Sequence, residues 1–173
     1  PCGDKEDERP RGVSIWVGDH PKDNKKSLVL LDVEGLSGTD AHDRKLITIG
    51  LVLSSTIIYS SSGCIDDDAL HAMRLLSQIS EEIQTCNAID TSKQEFKSPL
   101  PKFVWSISNH HTWNRRYDYY NNAYLEHNLL WKTSYNLMIS KEKERESNII
   151  RERLRNSFKK RECFLHPKHG KNS

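Results

Sequence analysis

Residues 28–35 read Leu-Val-Leu-Leu-Asp-Val-Glu-Gly, a solid apolar run ending on two carboxylates and a glycine. Leu28 to Leu31 has the profile of a central strand buried on both faces. Asp32 and Glu34 then stand at its carboxyl end, where open α/β sheets place their chemistry. Three readings compete. As solvated turn residues the two acids would do nothing, yet burying them unpaired would be costly. As the D-x-E of a two-metal exonuclease they would hold divalent ions that clamp a scissile phosphate. That chemistry needs a further acid preceded by His or Tyr, whereas Asp118 follows Asn114 and Trp113, with His111 further upstream. As the D-x-x-G of a nucleotide triphosphatase, Asp32 approaches Mg²⁺ through water and the Gly35 amide follows the γ-phosphate. Glu34 is then free to orient the attacking water. D-x-x-G alone is a weak motif, so its surroundings decide.

The elements that must position these residues are legible from periodicity. Val13 to Val17 alternates as a strand and stops at Gly18, followed by a polar turn from His20 to Lys26. After a polar loop, Ser37 to Asp43, the segment Lys45 to Leu53 is apolar enough for a buried helix. Ser55 to Tyr59 is a β-branched strand closed by Ser60-Ser61-Ser62-Gly63. Asp66-Asp67-Asp68 suits a helix N-terminus, and Ala69, Ala72, Met73, Leu76, Ile79 and Ile83 give helical spacing from about Asp67 to Gln84. Asn87 to Pro101 reads as a loop and Phe103 to Ile107 as a strand. Tyr119 to Trp131 and Lys141 to Phe158 read as helices, and Cys163 to Leu165 as a short last strand. Strands alternating with helices predict an α/β fold with a parallel component. Chemistry is then expected after Leu31, Tyr59, Ile107 and Leu165.

Composition narrows the classes. In 173 residues, 26 Lys+Arg against 24 Asp+Glu leave a net charge of +2, too balanced for a strongly basic nucleic-acid module. Trp105 to Trp131 interleaves aromatics with Arg115 and Arg116, but buried helix packing is the ordinary explanation, and no nucleic-acid partner is expected. The charged run Lys141 to Lys160 reads as a solvated helix face. The longest apolar region, Leu46 to Ile58, is too short to cross a bilayer. Four scattered cysteines and no leader-like opening predict reduced thiols and a cytoplasmic location. His110-His111 has no partner at zinc spacing.

The surroundings of the D-x-E-G element decide its reading. Gly12 to Trp16 (GVSIW), His20-Pro21, Leu28 to Leu36 (LVLLDVEGL), Leu51 to Leu70, Leu100 to Ile107 (LPKFVWSI) and Phe158 to Pro167 (FKKRECFLHP) occur together and in order. This set resembles the guanylate-binding proteins, dynamin-like large GTPases, over Gly12 to Pro167. The resemblance implies a P-loop GTPase-like, mostly parallel sheet flanked by helices and incomplete at the N-terminus. Residues 12–173 form part of that domain and residues 1–11 match it poorly.

It also implies GTP and GDP as ligands, Mg²⁺ as cofactor and a nucleotide-dependent head-to-head homodimer. Membrane association would come only through regions outside the chain. Residue by residue, Asp32 falls on the Mg²⁺-side acid, Gly35 on the γ-phosphate sensor and Glu34 on the water-orienting position. Ser108 and Asn109 fall on the base-reading loop, and His166 and Pro167 on the start of the guanine-capping loop.

Three departures stand out. No G-x-x-x-x-G-K-[ST] occurs, since the only Gly-Lys is Gly170-Lys171 followed by Asn172, and the chain begins at Pro1. Truncation explains that better than decay, and the chain alone is expected to be inactive. Pro10 stands where the family carries an Mg²⁺-binding Thr. Ser108-Asn109 replaces the family's Arg-Asp, so one acceptor and one donor face a base edge that offers guanine's two donors. That predicts altered base selectivity, toward xanthine. The alternative is a non-hydrolysing interaction module, a pseudo-GTPase of the same fold. Pro10, Ser108 and Asn109 favour it; Asp32, Glu34 and Gly35 oppose it.

Overall fold

The computed structural model describes residues 12–33, 41–89, 100–110, 121–130 and 141–167. Its elements run β1 (Val13–Asp19), β2 (Ser27–Val33), α1 (Ala41–Leu53), β3 (Thr56–Ser62), α2 (Asp67–Ala72) and α3 (Arg74–Ile89). They continue with β4 (Lys102–His110), α4 (Asn121–Leu130), α5 (Lys141–Ser157) and β5 (Arg161–Pro167). β3, β4 and β5 form a parallel sheet with β4 in the middle, each crossover carried by helices. This is the α/β architecture the alternating pattern predicts.

The core lies on one face of that sheet. The register aligns Tyr59, Trp105 and Cys163 across the three strands, all buried. Against them pack Leu70, Met73, Leu76 and Ile79 from the α2–α3 region, Leu125 and Leu129 from α4, and Ile150 and Leu154 from α5. Trp105 is fully enclosed, edge-on to Tyr59 at 5.4 Å and to Phe103 at 6.1 Å. Its indole N–H donates to Ser61 Oγ at 2.9 Å, so burial leaves no orphaned donor. On the opposite face Ile58 and Phe164 are exposed.

Helix ends follow local chemistry. Asp66 caps α2 by accepting from the Ala69 N–H at 2.9 Å, as the acidic run predicts. The single helix expected from Asp67 to Gln84 breaks at Met73, whose N–H turns back to the Leu70 carbonyl at 2.9 Å. α3 then runs on to Ile89, into the segment expected to be loop; residues 90–99 lie outside the described residues. α1 likewise starts at Ala41, two residues before the expected loop ends, and buries Asp43.

α5 buries Ser147, Ile150, Arg151, Leu154 and Ser157, one stripe at helical spacing. The rest of its charged run is mostly solvated, but Arg151 is an exception. Its guanidinium donates to the Asn128 carbonyl (3.1 Å), Asn148 Oδ1 (3.2 Å) and Asp67 Oδ1 (3.4 Å), joining α5 to α4 and α2. Burial pulls its pKa below the usual guanidinium value, against the opposing pull of Asp67. Arg161 makes a second tie, bidentate to Glu126 at 2.5 and 2.6 Å.

The Leu28–Leu31 run corrects the sequence reading. β2 is not a central strand buried on both faces. It pairs antiparallel with β1 in a separate two-stranded sheet, with Val29 and Leu30 about half exposed. The physical reason is coverage. α1 meets this hairpin near Val33, where a Cβ on Gly50 would stand 3.3 Å from Val33 Cγ2. Ile15, Val17 and Val29, further along the same face, stay exposed. On the other face the Trp16 ring lies over Gly18, so close that any Cβ there would displace it. A two-stranded ribbon covered on part of one face cannot bury both sides of an apolar strand.

The core placement generates two predictions. Trp105→Ala should lower unfolding free energy by about 3–5 kcal/mol, and Trp105→Phe by clearly less, measured by urea denaturation. Burial pushes the Cys163 thiol up to about 12. Iodoacetamide at pH 8 should therefore modify exposed Cys64 and Cys86 in the folded protein and spare Cys163 until denaturant is added, as read by peptide mass spectrometry.

Candidate functional site

The three parallel strands end together at Ser62, His110 and Pro167. The ladder pairs Ser62 with Ser108 and His110 with Pro167, with a register shift between Ile107 and His110. Asn109 falls inside that shift and takes φ +52°. An L-residue in this left-handed region is strained by its Cβ, and Asn and Asp tolerate it best after glycine. The extra residue lets the strand's end bend without losing its neighbours.

Short polar side chains stitch this edge together. Ser108 Oγ donates to the Ser61 carbonyl at 3.1 Å, and Asn109 Nδ2 donates to Ser62 Oγ at 3.3 Å. Ser106 Oγ and His166 Nε2 are 3.1 Å apart, linking β4 to β5. Gly63, at φ +94°, donates its N–H to the Ser108 carbonyl at 2.8 Å, a conformation that favours glycine. His110 Nδ1 lies 2.9 Å from the Gly63 carbonyl. A carbonyl can only accept, so the proton sits on Nδ1. The His110 ring packs on Tyr124 at 5.0 Å, and the Tyr124 hydroxyl accepts from the Ile65 N–H at 3.1 Å. Residues 63–66 are thereby strapped to β4 and α4. The Cys64 thiol within this segment is pushed up, first by desolvation and then by Asp66.

Ser108 and Asn109 of the sequence-predicted set thus lie near the carboxyl end of β4, with His166 and Pro167 at the adjoining end of β5. Ser108 and Asn109 are not in a loop after the expected Phe103–Ile107 strand but continue β4, which runs to His110. The Ser62–Ser108 pairing and the Gly63–Ser108 bond hold it in the ladder. Asp32 stands elsewhere, exposed near the end of β2 and paired with Ser14 across the hairpin. Glu34 and Gly35 lie outside the described residues. Among the described residues, no group of three or more His, Cys, Asp or Glu could hold a metal ion, and no helix is long and apolar enough to cross a membrane. Of the aromatic stretch, Trp105 and Tyr124 are committed to the core and to the strap; residues 111–120 and Trp131 lie outside the described residues.

Sequence reasoning missed Ser62, Ser106, His110 and Tyr124. One signal was available. Three serines and a glycine closing a β-branched strand place hydroxyls at a carboxyl edge, which is more than a stop signal.

A parallel α/β sheet with a polar carboxyl edge defines the broad class of domain. The profile of the family described as "Guanylate-binding protein, N-terminal domain" matches residues 3–173. The chain belongs to this family. It is 28% identical to human guanylate-binding protein 3 over 166 residues, 90% of this chain and 27% of the relative. It is 30% identical to human guanylate-binding protein 7 and to mouse guanylate-binding protein 2, again over 90% of the chain and 25% and 27% of those proteins. The chain therefore spans about a quarter of the length of these curated relatives.

The backbone at position 109 is testable by itself. Asn109→Gly should change stability by only a few tenths of a kcal/mol, whereas Asn109→Val should cost about 1–2 kcal/mol through its strained φ, both read as denaturation midpoints.

Proposed function

We propose that this domain binds a purine nucleoside triphosphate, GTP in the family sense, and contributes to its hydrolysis within a longer protein. The observation that carries this is the family match over residues 3–173, together with Ser108, Asn109 and His166 on one carboxyl edge of the parallel sheet. Charge neutralisation and positioning dominate phosphoryl transfer, so the roles divide cleanly. Asn109 and Ser108 meet the base, with His166 and Pro167 beside them. Glu34 orients the attacking water and Gly35 donates its amide to the γ-phosphate. Asp32 takes the metal side.

The Asp32 carboxylate fits Mg²⁺ in one respect and is insufficient in another. It is exposed, with room for a hard, hydrated cation. Among the described residues Asp32 belongs to no group of three or more His, Cys, Asp or Glu that could cage an ion, which accords with Mg²⁺ being held largely by water and phosphates. When bound, Mg²⁺ supplies charge neutralisation on the phosphates; Asp32 would hold its water shell. A nucleotide-dependent homodimer built around the capping region, and work in the cytoplasm, complete the proposal.

Asn109 sets the base. Its amide offers one acceptor and one donor, which matches the N1–H and O2 of xanthine and mismatches the two donors of guanine. In the full-length protein, Asn109→Asp should shift binding toward guanosine nucleotides, measured by competition of xanthosine and guanosine triphosphates. A strong guanosine preference in the unmodified protein sinks the base assignment. Glu34→Ala should lower kcat roughly 10²–10⁴-fold with little change in nucleotide affinity. Equal loss in both counts against a catalytic role.

The second reading, a pseudo-GTPase, is favoured by the Ser108-Asn109 pair standing in place of Arg-Asp. Nucleotide binding without phosphate release from the full-length protein would establish it.

A further inference from the structure

We infer that Ser62 is a specificity-determining positioning residue: its hydroxyl fixes the plane of the Asn109 amide and so decides which purine base edge that amide can read. This rests on the proposed role of Asn109 and deepens it. Ser62 is on β3 and Asn109 on β4, so the contact crosses between strands rather than arising from local sequence. Ser108 directly faces Ser62 in the ladder, which places Asn109 one residue past the last strand pair with its Nδ2 3.3 Å from Ser62 Oγ. Both ends of the contact are pinned. Ser62 is bracketed by the Ser108–Ser61 bond and the Gly63–Ser108 bond, and the Asn109 backbone is fixed in the left-handed region.

An amide nitrogen carries two hydrogens. One goes to Ser62, which leaves the other and the carbonyl oxygen as an acceptor and donor pair in a fixed plane. Xanthine satisfies such a pair, donating from N1–H and accepting at O2. Guanine cannot, because its 2-amino group would face the remaining amide hydrogen. A freely rotating amide behaves differently. It can turn its carbonyl oxygen head-on and accept from both guanine donors. Removing the Ser62 hydroxyl therefore relaxes discrimination, and does so in guanosine's favour.

The test uses the full-length protein and measures affinities for xanthosine and guanosine triphosphates, read as a ratio. Ser62→Ala should shift that ratio toward guanosine roughly three- to tenfold, the scale of one hydrogen bond. Ser62→Thr should restore it by returning the hydroxyl. In an Asn109→Ala background, Ser62→Ala should leave the ratio unchanged. A merely structural role would weaken both nucleotides alike and leave the ratio fixed, which overturns the inference. The inference falls alone if Asn109→Asp moves the ratio but Ser62→Ala does not. If neither nucleotide binds, or Asn109→Asp leaves the ratio fixed, the base-reading role of Asn109 falls and takes this one with it.

Discussion

The burial of Trp105 in the middle strand is the constraint on which the domain depends. An indole is the largest apolar side chain available, and here it is enclosed from all sides by Tyr59, Phe103 and the helices above. Enclosing it demands a partner for its N–H, and the partner is a serine hydroxyl on the neighbouring strand. That bond runs from the middle of β4 to Ser61 near the carboxyl end of β3, and so couples hydrophobic packing to the position of the polar edge. Ser61 serves both. Its hydroxyl accepts from the buried indole while its carbonyl accepts from Ser108. The core thus fixes the register of the residues that face solvent at the strand tips.

Among the described residues, the side chains that tie that edge together are hydroxyls, an amide and imidazoles. Each group is short and anchored by a partner on another strand or on the adjoining turn, so little rotamer entropy remains to be lost when a ligand arrives. The hairpin β1–β2 presents the opposite design. Among the described residues, α1 meets its apolar side chains near Val33, while Ile15, Val17 and Val29 stay exposed and its acid, Asp32, is in the open. The two regions therefore differ in how far the described residues determine them: the parallel sheet carries its own core, whereas the hairpin borrows from one helix.

Much of this was legible in the sequence, and the parts that were not share a cause. Strands with β-branched and aromatic residues, such as Thr56 to Tyr59 and Phe103 to Ile107, announce themselves because intrinsic preference and burial agree there. The stripe on α5 was visible in the same way. Leu28 to Leu31 misled, since an apolar run reports what a strand could bury and says nothing about what is there to cover it. The break at Met73 was hidden because its apolar spacing continues across it. Ser108, Asn109 and His166 were singled out only by position in a family pattern, and their cross-strand bonds to Ser61, Ser62 and Ser106 depend on register, which no local window contains. Burial of Arg151 escaped for a related reason: its partners come from α4, α2 and its own helix.

On the proposed base-reading role, position 109 answers to two demands at once, one of the backbone and one of the ligand. The register shift puts its backbone at φ +52°, which among L-residues favours Asn and Asp. A base-reading role asks for a short planar side chain with oxygen at its tip, which again selects Asn and Asp. The backbone therefore cannot distinguish the two, and exchanging one for the other is structurally cheap. What differs is the hydrogen-bond code at the tip: a carboxylate offers two acceptors, an amide one acceptor and one donor. If position 109 reads the base as proposed, a backbone that favours two nearly isosteric side chains there leaves ligand selectivity as the property free to change. The altered pair Ser108-Asn109 can thus coexist with an intact sheet, so a changed base preference and a lost hydrolytic activity are both compatible with this fold.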